Sequence, residues 1–143
     1  MFDRILVAVD GSSRSEHVLT TIIELARESK AEIRVVNVHE EHLAARAVPT
    51  SVDEDTAAAS GIVGWALEQL EAAGVKASGA VRQSTSGRVG AEVVDEATEW
   101  GASLIALGTR GRTDLEGLLL GSVCHRVLHF SKIPVLVVPL GPT

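Results

Sequence analysis

Three glycines and a serine are spaced along residues 108–122 in a pattern that suits phosphate binding. They are Gly108, Gly111, Gly121 and Ser122, which gives the spacing Gly-x2-Gly-x9-Gly-Ser. Glycine lets backbone N–H groups approach an anion because no Cβ stands in the way. A helix that begins at Gly121-Ser122 would add unpaired N–H groups and the positive end of its dipole. The stretch therefore predicts a loop that binds a phosphate group.

The patterns on either side of this glycine loop define its setting. Residues 104–107 are apolar and indicate a buried strand, and residues 123–129 indicate a helix. The loop is not a Walker A loop, because no Gly-Lys-Ser/Thr closes it, and its spacing differs from the dinucleotide-binding fingerprint. An alternative without a ligand stays open, in which Gly108 simply ends the strand and Gly121-Ser122 simply caps the helix.

Charged side chains stand at or near the predicted strand ends. Asp10 directly follows the apolar run 5–9, which is typical of a central parallel strand. Its carboxylate could accept hydrogen bonds from the next turn, or it could contact a nucleoside, a metal ion or both. Arg110 and Arg112 lie in the glycine loop, where they could meet phosphate charge or be solvated.

The histidine and cysteine patterns favour neither a metal centre nor a nucleophilic enzyme. His125 and His129 have an i, i+4 spacing that can bind zinc, but no further ligand clearly completes the set. Cys124 is the only cysteine, so an internal disulfide is excluded. A thiol near a helix N-terminus can act in redox sensing, yet a small buried apolar residue is the favoured interpretation. No Gly-x-Ser-x-Gly elbow or Ser/His/Asp set can be identified.

The composition indicates one globular domain over residues 1–143. Hydrophobic residues make up 45% and aromatic residues only 3%, which suits the aliphatic interior of a parallel sheet covered on both faces. The net charge of −6 argues against a nucleic-acid-binding surface, which would be basic. No apolar run approaches the roughly 20 residues of a membrane span, and no signal peptide is visible. We therefore expect a soluble cytoplasmic protein.

The chain alternates strand and helix patterns. Ser13 and Glu16 fit a capping box, so the first helix is predicted to start there. Residues 40–51 have no regular pattern and predict a mobile connection that could include a helical turn. Gly61 and Gly64 lie inside the second predicted helix, where close packing on the sheet would explain them. The strands are predicted at residues 5–9, 33–38, 75–81, 103–107 and 133–138.

This order of elements predicts an α/β fold with five parallel strands and right-handed crossovers. The third strand contains Ser78 and Gly79, is weakly apolar and is expected at an edge. Pro134 lacks an N–H group, so the last strand is also expected at an edge or to begin beside one. The alternation alone leaves the order of the strands open.

Three linked signatures resemble the universal stress protein family, and its ATP-binding branch in particular. They are the glycine loop, Val-Ala-Val-Asp-Gly-Ser at residues 7–12 and Pro-Val-Leu-Val-Val-Pro at residues 134–139. The resemblance covers the whole chain and implies an open, Rossmann-like sheet of order 3-2-1-4-5 with helices on both faces, as in the adenine nucleotide alpha hydrolase-like folds. Ligands bind such sheets where the order reverses, so Asp10 and Gly108 are expected to meet there.

The resemblance also implies a ligand, ATP, with Mg²⁺ as its candidate companion. Ala8 and Val38 match positions that line the adenine pocket, and Asp10 matches a residue beside the nucleoside. The family usually has Ser or Thr where this chain has Cys124, and a thiol is a weak donor for a phosphate. The expected ligand-binding residues are Ala8, Asp10, Val38, Leu107, Gly108, Arg110, Gly111, Arg112, Gly121, Ser122, Val123 and Cys124.

The resulting hypothesis is a stress-response regulatory protein in which ATP acts as a ligand that shifts the balance between conformations. No residue is assigned a catalytic role. Two alternatives stay open: a dimeric interaction module that binds no nucleotide, and a slow ATPase that needs a partner protein. The resemblance further implies a homodimer formed through residues Val135 to Val138.

Overall fold

Strands and helices alternate along the whole described chain. The computed structural model describes residues 2–41, 49–109 and 120–139, and for residues 41 and 49–56 it describes the backbone only. The elements, in chain order, are β1 (Arg4–Ala8), α1 (Ser13–Ser29), β2 (Glu32–Glu41), α2 (Pro49–Ala72), β3 (Ala77–Thr85), α3 (Val89–Trp100), β4 (Leu104–Gly108), α4 (Ser122–Phe130) and β5 (Val135–Val138).

The sheet has the order β3-β2-β1-β4-β5, and every pair of neighbouring strands is parallel. The predicted fold class and strand order are therefore confirmed. Strand β1 lies at the centre, where Val7 pairs with Val35 of β2 on one side and Ala106 of β4 on the other. From β1 the chain adds β2 and β3 on one side of the sheet, and then β4 and β5 on the other side. The carboxyl ends of β1 and β4 are consequently neighbours at the reversal point.

The pleat of the sheet divides the apolar side chains between two cores. Ile5 and Val7 of β1 face the core that α1 and α2 cover, together with residues such as Leu19 and Leu70. Leu6 faces the opposite core, which α3 and α4 cover and which includes Val93. Both cores are aliphatic, as expected for a parallel sheet that is buried on both faces.

Helix α1 starts at Ser13, as the sequence predicts, but its cap lies one residue earlier than predicted. Its N-cap is Ser12, whose backbone is extended and whose side chain accepts a hydrogen bond from the N–H of Ser15. The predicted capping box of Ser13 and Glu16 is therefore wrong. Ser12 takes the cap because its own N–H and hydroxyl are already directed to Asp10, which closes the turn after β1.

Strands β2 and β3 are longer than their side-chain patterns predict. They pair residue by residue as far as Glu41 and Thr85. Backbone pairing continues past the last apolar residues because a parallel ladder needs only N–H and C=O groups. The connection predicted over residues 40–51 is thus wrong at both ends, since Glu40 lies in β2 and α2 starts at Pro49. Residues 42–48 lie outside the described residues.

The close approach of α2 to the sheet depends on a glycine in β3. A Cβ atom added at Gly61 or Gly64 would meet no heavy atom within 4 Å, so the predicted explanation of these two glycines is wrong. At Gly79 in β3, an added Cβ would collide with Val63 Cγ1 and lie 3.1 Å from Leu67 Cδ1. Gly79 of the sheet, and not Gly61 or Gly64 of the helix, therefore allows α2 to pack closely on the sheet.

Ion pairs attach α3 to the edge of the sheet. Arg82 of β3 contacts Glu92 at 2.8 Å, Glu96 at 3.1 Å and Glu99 at 3.1 Å, and Arg34 of β2 contacts Glu96 at 2.8 Å. Partial burial lowers the pKa of Arg82, but the hydrogen bonds to the three carboxylates together raise it above its ordinary value. The guanidinium therefore stays charged, and α3 keeps its place over β2 and β3.

Candidate functional site

A pocket opens at the carboxyl ends of β1 and β4, where the strand order reverses. It encloses about 560 Å³ of space, part of it open to solvent. The described residues of its walls are mostly aliphatic, with one carboxylate and one hydroxyl among them. The lining residues are Ala8, Val9, Asp10, Ser15, Val36, Val38, Val89, Val93, Leu107, Gly108, Val123 and Cys124.

Hydrogen bonds within the turn that follows β1 hold the carboxylate of Asp10 in place. Its Oδ1 atom accepts from the N–H of Ser12 at 2.9 Å, from the hydroxyl of Ser12, and from the hydroxyl of Ser15 at 3.0 Å. No residue in the described part of the chain donates to the other oxygen, Oδ2. One oxygen thus fixes the side chain, and the other has acceptor capacity to offer a ligand.

The start of α4 lies at the rim of the pocket. Gly121 is the N-cap, with an extended backbone at φ −73° and ψ 167°. Its N–H donates to the carbonyl of Thr109 at 2.6 Å, so the two ends of the intervening loop are joined. The first intrahelical hydrogen bond of α4 runs from the N–H of His125 to the carbonyl of Gly121, at 2.9 Å. The N–H groups of residues 122–124 therefore precede the intrahelical ladder, at the positive end of the helix dipole.

Ser122 does not take the capping position that one interpretation of the sequence gave it. The structure places Gly121 at the N-cap and Ser122 at the first helical position, where its side chain is exposed. The reason lies in the backbone: Gly121 is already extended and its carbonyl already accepts the first intrahelical bond.

Cys124 belongs both to the pocket wall and to the core beneath α3 and α4. Its side chain is 2% exposed and lies in the same apolar cluster as Leu107, Val93 and Val127. This burial agrees with the interpretation of Cys124 as a small apolar residue. Groups of three His, Cys, Asp or Glu residues that could hold a metal ion are absent from the described part of the chain.

Most of the residues predicted for the site come together in the structure. Seven of them line the pocket: Ala8, Asp10, Val38, Leu107, Gly108, Val123 and Cys124. Gly121 and Ser122 begin the helix that supplies the last two of these residues. Arg110, Gly111 and Arg112 lie outside the described residues.

Five described residues of the lining were not predicted from the sequence, and they fall into three kinds. Val9 and Val36 are neighbours of predicted residues along the strands, and the alternation of side chains would have found Val36, two positions before Val38 on the same face. Ser15 comes from the first turn of α1. Val89 and Val93 come from α3, and no signal in the sequence places that helix over this strand end.

A second cavity lies behind the Asp10 turn, on the face covered by α1 and α2. It encloses about 640 Å³, part of it open to solvent, and Trp65 at its edge is 39% exposed. Val9 and Ser15 line both cavities, so the Asp10 turn forms the wall between them. The lining residues are Val9, Gly11, Ser12, Ser15, Glu16, Ala58, Gly61, Ile62 and Trp65.

A comparison with known protein families agrees with this geometry. The model of the universal stress protein family matches residues 1–139. The chain belongs to that family. Universal stress protein YxiE of Bacillus subtilis is 32% identical over 150 residues, which cover 96% of this chain and 99% of YxiE. Within the described residues, no helix of this universal stress protein is both long and apolar enough to cross a membrane.

Solved structures share the whole fold. That of hypothetical protein MJ0577 has a TM-score of 0.82 at 25% identity and covers 100% of this chain and 99% of its own. A universal stress protein from Archaeoglobus fulgidus, solved in complex with dAMP, has a TM-score of 0.71 at 27% identity over 96% of this chain and 98% of its own. Another, solved in complex with cAMP, has a TM-score of 0.67 at 25% identity and covers 98% of each chain.

Proposed function

We propose that this universal stress protein binds ATP in the pocket between β1 and β4, and that the nucleotide acts as a regulatory ligand. The observation that carries the proposal is the pocket itself: an aliphatic cleft with a fixed carboxylate, a helix N-terminus at its rim and a position at the strand-order reversal. The complexes of two relatives with dAMP and cAMP support an adenine nucleotide as the class of ligand.

The aliphatic part of the pocket suits the base. Ala8, Val38 and Leu107 present methyl and methylene groups that an adenine ring would cover, and each square ångström of apolar surface removed from water contributes about 25 cal/mol. Asp10, at the edge of this apolar wall, would accept hydrogen bonds from the nucleoside through Oδ2.

The start of α4 suits the phosphates. Ser122, Val123 and Cys124 hold the first backbone N–H groups of the helix, and such groups bind anions together with the helix dipole. The N–H of Gly121 is already committed to Thr109, so we assign Gly121 the role of leaving space for the phosphates and not of donating to them. Arg110, Gly111 and Arg112 remain proposed phosphate contacts, and Mg²⁺ would enter with the phosphates that it coordinates.

Regulation, not turnover, is the proposed use of the nucleotide. Hydrolysis needs a positioned water, a residue that aligns it and charge stabilisation at the γ-phosphate. Among the described residues, Asp10 is the only carboxylate in the pocket lining, and its Oδ1 atom is engaged by Ser12 and Ser15. We therefore expect turnover without a partner to be slower by several orders of magnitude than the roughly 10 per second of typical enzymes.

A homodimer formed through β5 is the proposed assembly. Strand β5 is an edge strand, since it follows β4 at one end of the sheet order. Val135 and Val137 are only half-buried, although they are apolar. An apolar edge with unpaired backbone groups is a liability unless another strand covers it, and a second copy would do so in an isologous interface.

The test is calorimetric titration of ATP into wild-type protein and into Gly121→Val. The backbone of Gly121 is one that valine tolerates, so the added side chain should fill the space for the phosphates and abolish binding while the circular dichroism spectrum stays unchanged. Gly64→Val is the matched control, because its Cβ meets nothing within 4 Å. Unchanged affinity in Gly121→Val would refute this placement of the phosphates, and a wild type that binds no nucleotide would refute the proposed function.

A further inference from the structure

The segment that carries Asp10 continues beyond the regular pairing of β1 with β2. That pairing ends at Ala8 and Val36. The next residue, Val9, is still held, since its N–H donates to the carbonyl of Val36 at 2.9 Å. Beyond this bond the regular pairing of the two strands does not continue, and Val9 and Asp10 line the pocket. Whatever fixes Val9 and Asp10 therefore fixes one wall of the pocket.

A buried amide of β2 secures this segment from one side. Asn37 is 6% exposed, and its Nδ2 atom donates to the carbonyl of Val9 at 2.8 Å. A backbone N–H would normally make this bond if the ladder continued. A buried carbonyl that loses its donor carries a desolvation cost, so the Asn37 side chain stabilises the extended conformation of Val9 at the point where regular pairing has ended.

A buried hydroxyl of α1 secures the segment from the other side. Ser15 is 8% exposed; its Oγ accepts from the N–H of Asp10 at 3.3 Å and lies 3.0 Å from Asp10 Oδ1, to which it can donate. It is thus in contact with both the backbone and the carboxylate of Asp10. The single hydroxyl proton can go to Asp10 Oδ1 or to the carbonyl of Ser12 at 3.1 Å, and either bond keeps the turn closed.

We infer that Ser15 and Asn37 are positioning residues for the nucleotide pocket, which act through Asp10 and not through the ligand. The inference rests on the proposed ATP site, because it assigns these two side chains the task of holding the Asp10 carboxylate at the pocket wall. Asn37 is not among the described lining residues of either cavity. Ser15 lines both cavities, but its hydroxyl oxygen is engaged by the backbone N–H and the carboxylate of Asp10. Their substitution should change affinity by displacing Asp10.

The experiment is a double-mutant cycle measured by calorimetric titration with ATP. Ser15→Ala should weaken ATP binding by about two- to tenfold, the scale of one lost hydrogen bond. In an Asp10→Ala background the same substitution should have little further effect, because the carboxylate that Ser15 holds is gone and only its contact with the backbone N–H of residue 10 remains. Ser15→Thr keeps the hydroxyl and should bind with nearly wild-type affinity.

Two further variants separate positioning from a general loss of stability. Ser29→Ala removes a hydroxyl from the far end of the same helix, where it donates to the carbonyl of Leu25, and should leave ATP affinity unchanged. Asn37→Leu replaces the buried amide by a side chain of similar size and should weaken binding in the same direction as Ser15→Ala. Thermal unfolding of each variant in the absence of ATP verifies that the protein is folded.

The outcomes distinguish this inference from the function on which it rests. Wild type that binds ATP while Ser15→Ala and Asn37→Leu bind equally well refutes the positioning role and leaves the proposed function standing. A Ser15→Ala effect that persists in full in the Asp10→Ala background also overturns the inference, because the serine then acts by another route. Wild type that binds no ATP refutes the proposed function and the inference with it.

Discussion

The contact between α3 and α4 should be sensitive to a single methyl group at Gly90. This residue lies in the first turn of α3, next to Val89 of the pocket lining. A Cβ added to Gly90 would lie 2.7 Å from the Cβ of Arg126 and 3.1 Å from the carbonyl oxygen of Val123. Neither atom can rotate away, because one is backbone and the other is attached directly to it. Gly90→Ala should therefore push α4 away from α3.

The size of the effect follows from these distances. Carbon atoms normally approach to about 3.5–4.0 Å, so the two helices must separate by about 1 Å at this point. Overpacking of this kind costs ~1–3 kcal/mol, and replacing glycine by alanine in a helix returns about 1 kcal/mol. We expect a net loss of ~0–2 kcal/mol in the free energy of unfolding. Because Val123 and Cys124 move with α4, ATP affinity should fall by about tenfold, or ~1.4 kcal/mol.

Urea denaturation and calorimetric titration with ATP measure the two quantities on the same preparation. Gly64→Ala is the matched control: its Cβ meets no heavy atom within 4 Å, so it should stabilise the protein by ~0.5–1 kcal/mol and leave ATP affinity unchanged. If Gly90→Ala is stabilised like the control and binds ATP as tightly as wild type, the packing of α3 on α4 does not set the geometry of the pocket.

Three further predictions concern the phosphates, the assembly and the chemistry. Ser122→Ala should weaken ATP binding by about 1–2 kcal/mol, the scale of a hydrogen bond to a charged group, and equal titration curves would argue against a phosphate contact. Val137→Lys should convert a dimer into monomer or aggregate, and sedimentation of a wild-type monomer at micromolar concentration would contradict the β5 interface. Phosphate release under saturating ATP and Mg²⁺ should stay far below about 10 per second; a rate near that value, abolished by Asp10→Ala with binding retained, would identify an ATPase.

The fold could be predicted because its signals are local and repeated. Each buried strand is a short aliphatic run, and the family resemblance supplies the order that the alternation of elements leaves open. The ends of elements were less predictable, because tertiary contacts decide them. Ser12 replaces Ser13 as the cap since Asp10 engages it, and β2 and β3 extend to Glu41 and Thr85 because each provides the ladder for the other.

The pocket shows the same division between local and tertiary signals. Its strand-end residues, such as Asp10 and Gly108, follow apolar runs and could be predicted from them. Val89 and Val93 could not be predicted, because nothing in the sequence of α3 indicates which strand end the helix covers. Ser15 could not be predicted for another reason. Serine is common near the start of helices, so its presence there indicates no ligand site, and only the folded turn brings its hydroxyl to Asp10.

The most direct test of the central claim is to identify what the purified protein carries in its pocket. The protein is denatured, and the released small molecules are separated and identified by absorbance and mass spectrometry. The account predicts ATP in an amount approaching one per chain, or, for protein stripped of ligand, stoichiometric binding of added ATP that Gly121→Val abolishes. A wild-type protein that releases no nucleotide and binds no added ATP would contradict the account and favour a universal stress protein that acts as an interaction module without a nucleotide.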